Sequence, residues 1–252
     1  MKLFTPGPVN IRKEILEIGG KQHPYFRTKY FSQMNLESEE ILLDLIDCKK
    51  GRIVPLTASG SGAMDAVLSN FVDSNSNIMI INAGTFGQRW CDICDFYKIK
   101  YYEYKVPFGK NIDLEDLFKV IESQNISHLL MQATETSSGQ SMPVKKIGQF
   151  LKDRNVLFVV DAITAFMADE YRMDQFNIDI TVLSSQKGFA VPPGFSFLVL
   201  NEKAVKSLEN YEPKSFYFNV RNYVEDMKRG QTPFSPAITL LAQINAQLKH
   251  LR

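Results

Sequence analysis

The chain has 252 residues, 44% hydrophobic and 23% charged, enough apolar material for a sizeable core and none of the bias of a disordered or fibrous sequence. Its 29 Lys and Arg are offset by 28 Asp and Glu, a formal net charge of +1, which argues against nucleic acid as the main partner because phosphate binding needs a net basic surface. No apolar run approaches the roughly 18 residues of a membrane span, and the opening MKLFTPGPVN holds a Pro-Gly-Pro turn instead of an apolar signal core, so no membrane association and a cytoplasmic location are expected.

Residues 1–14 read as an N-terminal arm and residues 15–252 as one main domain, since no internal repeat or low-complexity linker divides the chain. Apolar, β-branched-rich runs then recur: RIVPLTAS, NIMIINAG, SHLLMQAT, NVLFVVDA, IDITVLSS and FSFLVLN. They are short, nearly continuous and bounded by turn residues, as expected of strands buried on both faces. Between most of them lie GAMDAVLSNFVD, QRWCDICDFYK, DLEDLFKVIES and PVKKIGQFLKDR, whose apolar residues step by three and four, the helix period. Strand then helix, repeated, predicts an α/β domain with a mostly parallel sheet. The last two strands are linked only by QKGFAVPPG and are expected as an antiparallel pair at or near an edge.

The chain closes on SPAITLLAQINAQLKHLR, with Ser235 as the expected N-cap, Pro236 at the first helical position, and Ile238, Leu241, Ile244, Leu248 and Leu251 on one stripe. The three cysteines, Cys48, Cys91 and Cys94, are an odd number, and the Cys91-x-x-Cys94 pair sits in a helical stretch. Buried or incidental thiols fit better than a metal or redox pair.

In parallel α/β sheets ligands bind beyond the carboxyl ends of the strands, so the residues after each run are the candidates. After RIVPLTA come Ser59, Gly60, Ser61 and Gly62, opening a helix whose free amides and dipole suit a phosphate, although such a turn is often only a tight connection. It matches neither the dinucleotide fingerprint nor the P-loop pattern. After NIMIINAG comes Phe86, on an expected strand-end loop, either a core ring or a stacking surface for a flat heteroaromatic ligand. ETSSGQ offers the hydroxyls of Thr136, Ser137 and Ser138, as caps or as ligand contacts.

Asp161 ends NVLFVVD, a run too apolar to host a carboxylate without a partner. An N-cap aspartate is the plain alternative to a carboxylate facing a buried cation or a protonated ring nitrogen. Lys187 follows IDITVLSSQ. A strand-end lysine is commonly a surface residue, but a desolvated one is a usable amine nucleophile for a carbonyl. Phosphate cradle, stacking ring, hydroxyl, carboxylate and lysine in this order describe one ligand, a phosphorylated pyridine aldehyde. Pyridoxal 5'-phosphate needs a lysine for its Schiff base and a carboxylate beside its ring nitrogen.

With FTPGPVNI, SGSGAMDA, NAGTFGQRW, ATETSSGQ, VVDAITAF and SSQKGFAVPPGFSFLVLNEKA in place, the sequence resembles the class V aminotransferases, fold-type I pyridoxal phosphate enzymes, and among them the alanine-glyoxylate, serine-pyruvate and aminoethylphosphonate-pyruvate transaminases. The resemblance implies a mostly parallel seven-stranded sheet flanked by helices. It implies that Lys187 forms the Schiff base, Asp161 pairs with the pyridine nitrogen, Phe86 stacks on the ring, Ser61, Gly62, Ala63 and Gln186 hold the phosphate, and Thr136 lies near the ring substituents. It implies a homodimer with shared sites, in which Thr232 of RGQTPFSP lends a hydroxyl to the neighbouring phosphate; turn chemistry is the plain alternative for Thr232. It also implies ping-pong transamination between a small amino donor such as alanine or serine and a 2-oxo acid such as pyruvate or glyoxylate, with Lys187 as the base that moves the α-proton.

The sequence ends at Arg252, inside the helix that in this family leads to a smaller C-terminal domain. That domain normally carries the arginine that clamps the substrate carboxylate. A pyridoxal phosphate-binding chain without turnover is therefore an alternative to an active transaminase. Cysteine desulfurases are another, but they typically carry histidine before the lysine, where this sequence has Gln186. The HPYFRTKYF stretch matches the family only in part, and Arg27 receives no role.

Overall fold

A computed structural model describes residues 3–252, so the first two residues of the expected arm lie outside the described residues. From Leu3 the arm runs without regular structure to Arg12. Two helices follow, α1 (Lys13–Gly19) and α2 (Lys29–Leu45), and then the elements alternate: β1 (Arg52–Leu56), α3 (Gly60–Asn70), β2 (Ile78–Asn82), α4 (Thr85–Phe96), β3 (Tyr101–Lys105), α5 (Leu114–Ser123) and β4 (His128–Gln132). A two-residue hairpin, β5 (Thr134–Glu135) and β6 (Gln140–Ser141), leads into α6 (Val144–Leu151), β7 (Leu157–Asp161), β8 (Ile180–Ser184) and β9 (Ser196–Leu200). Helices α7 (Glu202–Ser207), α8 (Val220–Met227) and α9 (Ile238–Leu251) close the chain.

Seven strands form one sheet in the order β1-β9-β8-β7-β4-β2-β3. The pairs among β8, β7, β4, β2 and β3 are parallel, and β9 is antiparallel to both its neighbours. The expected antiparallel pair is thus present, with β9 second from the edge rather than on it. Because β1 and β8 each oppose β9, the carboxyl ends of β1, β8, β7, β4 and β2 all lie on one side of the sheet.

Alternation along each strand feeds two cores. Met79, Ile81, Leu129, Met131, Phe158 and Val160 pack on the layer that includes α2, α5, α6 and α9. Ile78, Ile80, Leu130, Leu157, Val159 and Val182 pack on the layer of α3, α4 and α8. Strands with both faces covered need apolar residues at every position, which is why these runs are nearly continuous.

Several features depart from the sequence reading. The edge strand β3, YYEYK, is half-exposed and carries no apolar run. Helix α9 starts at Ile238 with Ala237 as N-cap, so Ser235 and Pro236 precede the cap. Its first orphan amide is met from elsewhere in the chain, Ala237 N–H donating to Thr57 Oγ1 at 3.0 Å. Phe86 lies in the first turn of α4 and not on a loop.

Candidate active site

The strand ends enclose a cavity of about 150 Å3 lined by Ser61, Phe86, Thr136, Asp161, Gln186 and Lys187, together with Ser59, Gly60, Met64, Arg89, Thr134, Ile163 and Thr164. Six of the nine expected site residues therefore meet in one place. Gly62 and Ala63 sit one step behind it: their amides donate to Ser59 O at 2.9 and 3.2 Å, inside the first turn of α3. The amides that α3 presents at its tip are those of Gly60 and Ser61, which have no partner within the helix.

Lys187 projects from the β8–β9 connection, which Ser185 holds together. The Ser185 hydroxyl donates to Pro192 O at 2.7 Å, and its amide donates to Phe195 O at 2.9 Å. Gly188 follows because a Cβ there would run into the Phe166 carbonyl. Ser184 Oγ donates to Gln186 Oε1 at 2.6 Å, turning the amide side chain toward the tip of α3. Burial pushes the Lys187 amine below its ordinary value, and the nearby Asp161 carboxylate pulls it partly back.

Asp161 ends the central strand β7 and is 6% exposed. Its Oδ1 accepts from Ile163 N–H at 2.9 Å. Burial drives its carboxyl up to about 6, against the favourable Ile163 hydrogen bond and the Arg89 cation. A buried acid held this high lacks a strong cationic partner, the situation a protonated ring nitrogen would relieve. Thr134 Oγ1, also on the cavity wall, is buried and has no hydrogen-bond partner among the described residues. The Thr136 and Thr164 hydroxyls are paired at 2.8 Å.

Phe86 is positioned by a residue outside the sequence-based set. The buried Glu135 carboxylate accepts from the Phe86 and Gly87 amides at 3.2 and 3.1 Å, from Ser137 N–H at 3.1 Å and from Gln132 Nε2 at 3.1 Å. It thereby caps α4 with a negative charge at the positive end of the helix dipole. Arg89, one turn on, lays its guanidinium 5.0 Å from the Phe86 ring centroid. Arg89 went unread with Phe86 expected on a loop, although the three-residue step between them would have signalled it, and Glu135 stood unread in ETSSGQ.

Thr232 is outside this cavity. It is buried, and its hydroxyl donates to Phe234 O at 2.8 Å, the turn chemistry that was its alternative. Arg27 clamps the same segment, donating to Gln231 Oε1, Thr232 O and Pro233 O at 3.1, 2.8 and 3.3 Å. The three cysteines are buried, and burial raises Cys48 to about 12, Cys91 to about 11 and Cys94 to about 12, so none is a thiolate near neutral pH.

The donor set fits pyridoxal 5'-phosphate: an amine short of water, a buried carboxylate short of a cation, a flat ring and a helix tip with free amides, around one cavity. Comparison with known proteins agrees. Residues 23–245 match the family described as aminotransferase class-V. An uncharacterised aminotransferase of Methanocaldococcus jannaschii is 30% identical over 251 residues, 98% of this chain and 64% of the relative. The L-aspartate–glyoxylate aminotransferase of Paracoccus denitrificans is 22% identical over 99% of this chain and 64% of its own length. An aspartate aminotransferase of subgroup IV from Thermus thermophilus superposes with a TM-score of 0.90 at 25% identity, covering 99% of this chain and 70% of the solved one. The chain spans a little under two thirds of the length of such curated relatives.

Proposed function

The chain belongs to the aminotransferase class-V family, and we propose that it is the cofactor-binding part of a transaminase that uses pyridoxal 5'-phosphate to move an amino group from a small amino donor to a 2-oxo acid. The observation that carries this reading is that the partly buried Lys187 amine and the buried Asp161 carboxylate line one cavity.

In this reading the cofactor supplies an electron sink for the bond broken at the donor's α-carbon. Lys187 would hold the aldehyde carbon, and its amine would be the base placed to take and return the donor's α-proton. Asp161 holds the ring nitrogen as a cation. Phe86 would stack on the ring, and Thr136 would lie near the ring substituents. Ser61, the amides at the tip of α3 and Gln186 hold the phosphate, with Gly62 and Ala63 shaping the turn behind them.

Alanine, serine or a similar small donor, with pyruvate or glyoxylate as acceptor, is the substrate class. The name of the Paracoccus relative lends support to glyoxylate as acceptor. A homodimer with Thr232 near the partner's phosphate belongs to the same reading. It is supported by the aromatic surface beside that segment, where Phe216 is 84% exposed and Tyr217 stacks on Phe234 at 5.1 Å.

The test is to load the protein with pyridoxal phosphate and supply alanine, serine or aspartate with glyoxylate, measuring glycine and the donor's 2-oxo acid. Both products in equal amounts, beyond one equivalent of protein, support the proposal. Loaded protein that releases neither product with any donor contradicts it and leaves a binding chain without turnover.

A further inference from the structure

The arm ahead of α1 contributes no residue from 3 to 9 to either apolar core, yet it makes a close contact with the site. Gly7 lies against the aliphatic stem of Lys187. A Cβ added to Gly7 would stand 2.5 Å from Lys187 Cδ, 3.0 Å from Cε and 3.1 Å from the Gln186 carbonyl oxygen. Two residues later, Val9 N–H donates to that same carbonyl at 3.1 Å. A strip of bare backbone is thus pinned beside the lysine, and the residues on either side of Gly7 are prolines, Pro6 and Pro8. Each proline fixes its own φ, so the strip is stiff.

Two physical consequences follow from this contact. A free lysine stem samples many rotamers, and packing one side of it removes part of that freedom and sets the direction of the amine. Covering the methylenes next to the amine also removes water, which disfavours the ammonium form. The charged groups around the amine come from other elements: Asp161 at the end of β7, with Arg89 on α4 and Glu135 after β4 beyond it. Residues 3–9 of the arm carry no charged side chain, so their influence on the amine is steric and desolvating.

We propose that the arm, through Gly7 and the Val9–Gln186 hydrogen bond, is a positioning element for Lys187: it fixes the lysine stem and shields it from water, so that the amine is presented to a carbonyl group. This rests on the reading of Lys187 as the reacting amine, and it is tested without the cofactor.

The test is reductive methylation with formaldehyde and cyanoborohydride of cofactor-free protein from neutral to alkaline pH, with peptide mapping of Lys187 against Lys105, whose side chain is 77% exposed. Wild type is compared with Gly7→Ala and with a chain lacking residues 1–9, and a thermal melt checks each fold. The expected result is that the shortened chain melts like wild type while its Lys187 profile moves to higher pH and its labelling near neutrality slows severalfold; Gly7→Ala, whose Cβ would stand 2.5 Å from Lys187 Cδ, displaces the stem and changes the rate of Lys187 labelling, and Lys105 stays unchanged in both. Coincident Lys187 profiles in all three proteins overturn the proposal. If Gly7→Ala melts early, the shortened chain decides alone, because it removes the contact without adding an atom. Wild-type protein that takes up no pyridoxal phosphate would count against the cofactor reading while leaving this shift to be observed.

Discussion

The Ile163 amide donates to Asp161 Oδ1 at 2.9 Å, the one hydrogen bond that this buried carboxylate makes among the described residues. One backbone donor does not compensate a charge taken out of water. The group is therefore pushed from 3.8 up to about 6, and the folded protein binds a proton that the unfolded chain has already lost. Its contribution to stability is full below about 3.8 and is lost as pH rises through about 6. Asp161→Asn should therefore stabilise the cofactor-free protein at neutral pH by on the order of 2 kcal/mol, with the gain vanishing under acid conditions. Chemical denaturation at several pH values measures this. The same variant should bind pyridoxal phosphate far more weakly, the opposite of its effect on stability.

His128 has the reverse sign. It is buried at the start of β4, with Ser127 Oγ 2.8 Å from Nδ1 and Tyr211 Oη 3.2 Å from Nε2. Burial lowers it from 6.5 to about 4. The unfolded chain then binds the extra proton, so stability is present above about 6.5 and drains away as pH falls toward 4. His128→Gln should flatten the loss between those values while leaving cofactor uptake intact, because His128 lies at the opposite end of the strands from Lys187. Melting curves of the two proteins across that window are the check.

Removing the Glu135 carboxylate strands the amides of Phe86, Gly87 and Ser137 in a buried place. Glu135→Ala should cost about 3 kcal/mol or more of stability, since several buried donors lose a charged acceptor together. It should also loosen the first turn of α4 and weaken cofactor binding without touching the cofactor. Glu135→Gln keeps one acceptor oxygen and should recover part of the loss in both a denaturant titration and a binding titration.

Phe86→Leu keeps an apolar side chain and removes the flat face. Aromatic pairing is worth about 0.5–1.5 kcal/mol beyond simple burial, so the affinity for pyridoxal phosphate should fall about threefold to tenfold with little change in melting temperature. An unchanged affinity, measured by titration of the cofactor's absorbance, would remove Phe86 from the binding surface.

The strands buried on both faces were legible because such a strand must be apolar at every position, and the charged residues following those runs stood out for the same reason. Asp161 and Lys187 were singled out that way. The edge strand β3 was not, because Tyr101, Glu103 and Lys105 serve a surface with little core behind it. Helix α2 was also missed, since its buried face interleaves Phe31, Met34 and Ile41 with buried Asn35, Ser38 and Glu39, which blurs the apolar period. Glu135 and Gly7 take their meaning from partners 49 and 180 residues away, Phe86 and Lys187. Nothing local in the sequence carries that information.

The most direct test of the central claim is borohydride reduction of the protein after incubation with pyridoxal phosphate, followed by peptide mass mapping. The site described above predicts one stable pyridoxyl group on Lys187, lost in Lys187→Ala. Labelling scattered over surface lysines, or no adduct on Lys187, would contradict it and leave the family's fold without its cofactor chemistry.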